Sequence, residues 1–265
     1  MIRDRVTSLC VLSAHATHIV LSHGDVIKIE RDDDPVKIGA LPLNYMTAWG
    51  MLKHSNVNLP PRSTILISAA SSGLGTAVAQ LIKAFNLGIR MIGTCSPSKF
   101  DYVSSLGVEP IDHNDPNLVE QVHKLMDGEG VDVAYNGVYS EESLKNSLAA
   151  TKRDTGKVIV FGVMGNVAPD GSGILRTSQE VFAEQLQPPR ITFFALDVGF
   201  YKKSEIAEFY AIVAKVRSGE LDPVVFKLLP LSQAKEAHGL LVLGSSVKGK
   251  MLFIVDANLA IRYGI

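Results

Sequence analysis

The stretch 64–85, Thr-Ile-Leu-Ile-Ser-Ala-Ala-Ser-Ser-Gly-Leu-Gly-Thr-Ala-Val-Ala-Gln-Leu-Ile-Lys-Ala-Phe, constrains this chain more than any other. An apolar run of strand length enters a turn of small residues, and a helix begins at that turn. The arrangement aims backbone N–H groups and the positive end of a helix dipole at one spot, which suits a diphosphate. Nucleotide binding is therefore the first expectation. The loop itself is degenerate: Ala70-x-Ser72-x-x-Gly75 stands for Gly-x-Gly-x-x-Gly, with Gly73 as an additional small residue. Alone it also fits a tight strand–helix turn without a ligand.

The chain beyond it keeps the alternation. Strands are expected over 65–68, 89–94, 109–112, 131–136, 157–161 and 191–196, with helices over 76–85, 98–106, 116–126 and 141–150. A glycine-containing loop is expected over 163–173, and 176–188 reads as helix or loop. The apolar runs are short and nearly continuous, as parallel strands covered on both faces require. The fold class is α/β: a doubly wound, parallel, six-stranded Rossmann-type sheet. Outside it, strands are expected over 5–9, 16–20 and 26–29. Asp34 or a near neighbour caps a short helix toward Ala40, and Pro42 opens a second helix over 44–53. An amphipathic helix over 203–218, a strand over 224–229, a helix over 232–243 and a last strand over 250–255 return to the part that the first thirty residues begin.

Bulk properties exclude several classes. The 265 residues are 46% hydrophobic and 20% charged, enough for a packed core and against disorder. A net charge of −1 and a pI near 6.7 give no basic field for nucleic acid or an anionic membrane. Two cysteines, Cys10 and Cys95, make no disulfide framework, so a reducing cytoplasm is the default compartment. The run from Leu9 to Ala16 lacks the pattern of a signal peptide, and no apolar run is long enough for a bilayer span.

The Ser71-Ser72-Gly73-Leu74-Gly75 run also resembles the short-chain dehydrogenase loop. That family needs a Tyr followed four residues later by Lys, to lower the phenol pKa. None of Tyr45, Tyr102, Tyr135, Tyr139, Tyr201, Tyr210 and Tyr263 meets that spacing. A methyltransferase reading lacks the acid after the second strand of the sheet. The same missing acid speaks to the nicotinamide cofactor. An NAD site carries Asp or Glu there for the ribose hydroxyls, whereas 93–99 reads Gly-Thr-Cys-Ser-Pro-Ser-Lys. Thr94 and Ser96 offer hydroxyls and Lys99 a cation, the chemistry of a 2′-phosphate site, so NADPH is expected over NADH. The same residues also fit an N-cap followed by a solvated lysine.

Nearly the whole chain resembles the medium-chain dehydrogenase/reductase superfamily, most of all its zinc-independent quinone-oxidoreductase and enoyl-reductase branches. The resemblance rests on 41–50, Leu-Pro-Leu-Asn-Tyr-Met-Thr-Ala-Trp-Gly, on 67–75, Ile-Ser-Ala-Ala-Ser-Ser-Gly-Leu-Gly, and on 230–238 and 248–255 near the end. It implies a remnant of a GroES-like catalytic barrel over 1–45, the dinucleotide domain over 46–200, and a return to the barrel over 201–265. It implies Thr47 beside the nicotinamide or its ribose, and Ser72, Gly73 and Leu74 along the pyrophosphate. Ser96 and Lys99 would face the 2′-phosphate, with His113 near the adenosine end. Asn136 stands where an Asp is common. Phe161 and Gly162 would line the nicotinamide side, and Phe194 would end the sixth strand beside the ring. Phe161 and Phe194 also fit ordinary strand-end packing, and His113 a loop histidine.

Zinc-dependent members carry a Cys where this chain has Leu43, which cannot bind metal, and His15 and His18 would point to opposite faces of a strand. No zinc is expected. Residues 3–6 resemble a strand from the middle of the family's barrel, so the chain is expected to lack several tens of N-terminal residues that line the substrate pocket. The implied reaction is hydride transfer from NADPH to a quinone or an α,β-unsaturated carbonyl, with solvent supplying the proton and no side-chain acid assigned. Tyr45 is the nearest candidate donor, against a helix-packing role. The rival readings are a zinc-type alcohol dehydrogenase-like enzyme and a truncated, non-catalytic NADPH-binding protein. A homodimer through the edge strand 191–196 is expected, with a small-molecule substrate.

Overall fold

A computed structural model describes residues 4–10, 14–166, 168, 173, 190–197, 199–243 and 247–265. The stretch 176–188, read as helix or loop, lies outside the described residues, as do 167 and 169–172 of the loop expected over 163–173. The chain divides into two compact units, one of residues 49–71 and 85–195, the other of 1–48, 72–84 and 196–265.

The first unit holds a six-stranded parallel sheet. Its strands are β3 (Thr64–Ile67), β4 (Arg90–Cys95), β5 (Glu109–Asp112), β6 (Val133–Asn136), β7 (Lys157–Val160) and β8 (Ile191–Phe193), in the spatial order β5-β4-β3-β6-β7-β8. The chain winds outward from β3 through β4 to β5. It then crosses to β6 and winds outward the other way, so β3 and β6 flank the point where strand order reverses. Helices α4 (Phe100–Ser105), α5 (Leu118–Leu125) and α6 (Glu141–Ala150) connect these strands. The strands hold their places because they are apolar on both faces: Ile65, Ile67, Ile92, Val133, Val158, Ile159 and Val160 have almost no exposure. Leu66, Ile92, Ile111, Val122, Ala134 and Val158 belong to one continuous core. Polar pairs set the lower rim of the sheet. Asp132 accepts from the Thr64 N–H at 2.7 Å and from Lys152 Nζ at 2.8 Å. Burial pushes the Asp132 carboxyl up, but those partners outweigh it and hold it below its ordinary value.

The other unit carries two separate strand pairs. β1 (Arg5–Thr7) pairs antiparallel with β2 (Ile27–Ile29), and β9 (Val225–Pro230) pairs parallel with β10 (Lys250–Ile254). Helix α1 (Pro35–Ala40) starts where Asp34 Oδ1 accepts the Val36 and Lys37 N–H groups at 2.8 and 3.3 Å, the cap expected of that aspartate. Two expectations are corrected here. Residues 16–20 form no strand: Val20 is 98% exposed, so the alternation there has no buried face to satisfy. Pro42 does not open a helix. It sits inside one π-type turn, Leu41–Tyr45, that runs from α1 directly into α2 (Met46–Lys53). A helix, α9 (Ala257–Tyr263), follows β10; Asp256 caps it and Gly264 ends it at φ +68°. Helices α3 (Gly73–Ala84), α7 (Glu205–Arg217) and α8 (Ala234–Leu243) complete this unit. Asp33 is buried and takes a two-pronged contact from Arg217, at 2.7 and 2.8 Å, that ties the turn before α1 to the end of α7.

Candidate cofactor site

The loop after β3 is shaped by its neighbour β4. The Ser68 N–H donates to Tyr135 O, Ala69 turns the chain at φ +54°, and the Ala70 N–H donates to Thr94 O at 2.9 Å. Gly93 lets the loop lie this close: a Cβ there would stand 2.4 Å from Ala70 Cβ and 2.9 Å from Val108 Cγ1. At the start of α3, Ser72 is the capping residue. Its Oγ accepts the Gly75 N–H at 3.1 Å and its carbonyl accepts the Thr76 N–H. Gly73 is crowded as well, since a Cβ there would lie 2.2 Å from Asn44 Nδ2 and 3.0 Å from Gly249 O. Ser72 makes an isolated parallel bridge with Gly249. The turn is thus tight at Gly93, where a side chain would strike Ala70 and Val108, and at Gly73, where one would have to displace the Asn44 amide, while Leu74 continues into the first turn of α3.

A cavity of about 540 Å³ opens where strand order reverses. Leu66 and Ser68 reach it from β3 and its turn, Thr94 from β4, and Tyr135 and Asn136 from β6. The loop 113–118, the cap Ser140 and the polar, half-buried side of α6 with Ser143 and Ser147 complete it. Its volume lies in the range of small-molecule sites. Of the residues expected to bind cofactor, the structure gathers Thr94, His113 and Asn136 around this one cavity.

Asn136 is 1% exposed, and both ends of its amide are engaged by protein. Oδ1 accepts the Val138 and Tyr139 N–H groups, each at 2.9 Å, and Nδ2 donates to Ser143 Oγ at 3.2 Å and Ser147 Oγ at 2.9 Å. The amide thereby ties the 138–139 turn to Ser143 and Ser147. Sequence reasoning missed those groups, Ser143 and Ser147; their i, i+4 spacing on a helix that follows a strand-end Asn was the available signal.

Ser96, Lys99 and Thr94 lie at the upper end of β4 or just beyond it. Ser96 occupies the N-cap of a single 3₁₀ turn, Pro97–Lys99, yet its hydroxyl makes no cap bond. Lys99 is not the solvated lysine of the alternative reading: it is 8% exposed, and its charge is felt at the Cys95 thiol. Burial pushes that thiol up, against the pull of Lys99. β4 itself carries no acid at this end. Asp112 on the neighbouring strand lies in register with Cys95, but its Oδ1 caps the Asn114 N–H at 3.0 Å and lies 3.6 Å from His113 Nδ1. A buried lysine three residues after an uncapped hydroxyl fits a phosphate monoester better than a bare ribose diol.

The two phenylalanines pack closely. Phe161 lies over Gly137, where a Cβ would meet its ring at 2.7 Å, and Gly162 passes within the space of the Gly137 carbonyl. The Phe194 N–H continues the ladder to Val160 O, and its ring covers Gly50 on α2. Thr47, half-buried, lies on the same helix. Tyr45 is 3% exposed and its hydroxyl donates to Gln80 Oε1, which makes it a packing tyrosine. The Tyr135 hydroxyl donates to Met51 O at 2.9 Å, and burial pushes its phenol far above the ordinary value. Leu43 is exposed and offers a metal no donor atom, so the position that matches the family's zinc ligand does not fit zinc. Among the described residues no group of three or more His, Cys, Asp or Glu is arranged to hold a metal. Among them, too, no helix is long and apolar enough to cross a membrane.

Comparison with known proteins gives a consistent set of likenesses. Residues 73–186 match the family described as zinc-binding dehydrogenase. The quinone oxidoreductase of Pongo abelii is 25% identical over 256 residues, which cover 95% of this chain and 73% of that protein. The solved quinone oxidoreductase of Escherichia coli, complexed with NADPH, superposes with a TM-score of 0.77 at 22% identity, over 95% of this chain and 75% of that one. The quinone oxidoreductase of Pseudomonas syringae pv. Tomato DC3000 gives 0.75 at 24% identity, over 95% and 74%. At these identities the two structures speak for the fold.

Proposed function

The chain belongs to the medium-chain dehydrogenase/reductase superfamily and is quinone-oxidoreductase-like, and from that premise we propose that it is an NADPH-dependent oxidoreductase delivering hydride to a quinone or an α,β-unsaturated carbonyl. The observation that carries the proposal is the cavity at the switch point between β3 and β6, where sheets of this winding bind dinucleotides. In this reading the adenosine end enters that cavity between the 113–118 loop and Val138. Thr94, Ser96 and Lys99 receive the 2′-phosphate, and Ser72, Gly73 and Leu74 meet the pyrophosphate. Thr47, Phe161, Gly162 and Phe194 surround the nicotinamide, with His113 at the adenosine rim. The bound cofactor supplies the hydride. The chain's own residues hold it, exclude water from one ring face and fix the approach of the acceptor. Residues 46–200 are the dinucleotide domain, and 1–45 with 201–265 the catalytic one. Among the described residues β8 is an edge strand of the sheet, which suits pairing of two copies.

Calorimetric titration with NADPH and NADH, followed by turnover with quinone, enone and alcohol acceptors, tests the assignment. Tighter binding of NADPH and reduction of a quinone or enone are expected. Heat with neither nucleotide would sink the cofactor reading, and NADPH binding without turnover would leave a non-catalytic binding protein.

A further inference from the structure

The hydrogen bonds around Asn136 fix a direction that an oxygen-or-nitrogen ambiguity leaves open in most amide side chains. The Val138 and Tyr139 N–H groups can only donate, so the atom they face is Oδ1. Nδ2 must then be the atom that faces Ser143 and Ser147, and both serine oxygens must accept from it. Ser143 places its own proton on Ser140 O at 2.9 Å and accepts the Ser140 N–H as well. Ser147 has no such outlet: among the described residues no acceptor takes its proton, and its side chain lines the cavity. An aspartate at position 136 would reverse this. A carboxylate accepts from both backbone N–H groups and also from the hydroxyls, which would turn the Ser147 proton inward and leave only lone pairs toward the cavity.

We propose that Asn136 acts as a positioning residue that makes Ser147 a hydrogen-bond donor into the cavity, and that Ser147 there reads a ring nitrogen of the adenine. The proposal rests on the placement of the adenosine end given above. The unprotonated ring nitrogens of adenine are acceptors, unlike its 6-amino group, and such a nitrogen would gain nothing from facing a second acceptor, so the polarity set by Asn136 decides whether the contact is favourable.

Calorimetry of NADPH and of its 1-deaza, 3-deaza and 7-deaza adenine analogues on wild-type protein and Ser147→Ala tests it. The variant is expected to bind NADPH about fivefold to tenfold more weakly, the loss of one net hydrogen bond. For one of the three analogues the two proteins should bind alike, because the partner nitrogen is gone. Asn136→Asp, with folding checked by its melting curve, should weaken NADPH as Ser147→Ala does, and adding Ser147→Ala to it should cost nothing more. A general structural defect would instead weaken all four nucleotides equally in every variant. If Asn136→Asp does not fold, the Ser147→Ala analogue series decides alone. An affinity within roughly twofold of wild type for Ser147→Ala, or an equal loss for every analogue, overturns the inference while leaving the cofactor reading intact. Absence of NADPH binding to the wild-type protein overturns both.

Discussion

Ala70 rests directly on Gly93: the loop after β3 touches β4 at the one place on that strand where a Cβ would stand 2.4 Å from the alanine methyl. This contact, with the hydrogen bond from the Ala70 N–H to Thr94 O, sets the height of the loop above the sheet. Gly93→Val should therefore act twice. The overpacked side chain must push Ala70 or Val108 aside, at a cost of about 1–3 kcal/mol in a thermal or denaturant melt. The displaced loop should also weaken NADPH in the folded fraction. Gly93→Val protein that melts and binds as wild type does would show that the loop is not seated by this contact.

Gly50 and Phe194 make a second such pair, and here the test is a double-mutant cycle. Gly50→Ala places a methyl 2.4 Å from the edge of the Phe194 ring and should destabilise by about 1–3 kcal/mol. Phe194→Ala removes the obstacle, so the two changes together should destabilise by less than their sum. Additive costs by denaturant unfolding would mean that the ring leaves Gly50 in solution.

Much of this architecture is legible in the sequence, and the reasons differ from element to element. The central strands of the sheet show themselves because both faces are covered, which writes a short apolar run at each, whereas β5, with only Ile111 buried, shows itself by its place in the strand–helix alternation. Helix α1 is announced by Asp34 before Pro35. The failures come where local pattern and tertiary burial part company. Residues 16–20 alternate like a strand, but Val20 lies in water and no partner strand exists for them among the described residues. Pro42 looks like a helix start, because the sequence does not show that α1 already supplies the preceding turn. At α9 the cap Asp256 and the terminator Gly264 are both in the sequence, but the 7 residues between them are too few for a helical period to show. In the site, the loop letters and the acid-free end of β4 point to the end of the sheet where the cavity opens. The burial of Lys99 and the engagement of both ends of Asn136 depend on distant residues and leave no local trace.

Cofactor choice can be tested at Ser96. Its hydroxyl makes no cap bond, and the proposal gives it to the 2′-phosphate. Ser96→Glu would set a carboxylate against that phosphate and would restore the ribose-binding acid of an NAD site. NADPH affinity should fall by about tenfold or more, with NADH affinity unchanged or improved. Equal losses for the two nucleotides in parallel titrations would place the 2′-phosphate elsewhere.

The acid-base assignment at Tyr45 makes a prediction of no effect on chemistry. Its hydroxyl donates to Gln80, whose own amide donates to Asp222 O at 2.7 Å. Tyr45→Phe should lower stability by about 0.5–1.5 kcal/mol, the net worth of one such bond, and leave kcat with the best acceptor unchanged. A loss of kcat of tenfold or more, at unchanged KM and with the protein folded, would restore Tyr45 as a proton donor.

The pair Asp33–Arg217 should govern part of the acid sensitivity of the fold. The Arg217 guanidinium, the largest influence, holds the Asp33 carboxyl below its ordinary value of 3.8, with the Glu30 N–H helping and burial opposing. A carboxylate whose folded pKa is depressed binds its proton more readily when unfolded. Its contribution is therefore complete above about 3.8, and it disappears as the pH falls through the lower folded value. Asp33→Asn removes the charge but keeps the shape. At neutral pH it should cost about 1–3 kcal/mol, toward the lower end because Arg217 is half in water. Between pH 5 and 8 the gap between variant and wild type should stay constant, since neither protein titrates at this position there. Below about pH 4 the gap should close, as wild-type Asp33 takes up its proton and becomes the neutral group that the variant already carries. Urea melts at a series of pH values measure the gap, and one that widens on acidification would mean that Asp33 is not held by Arg217.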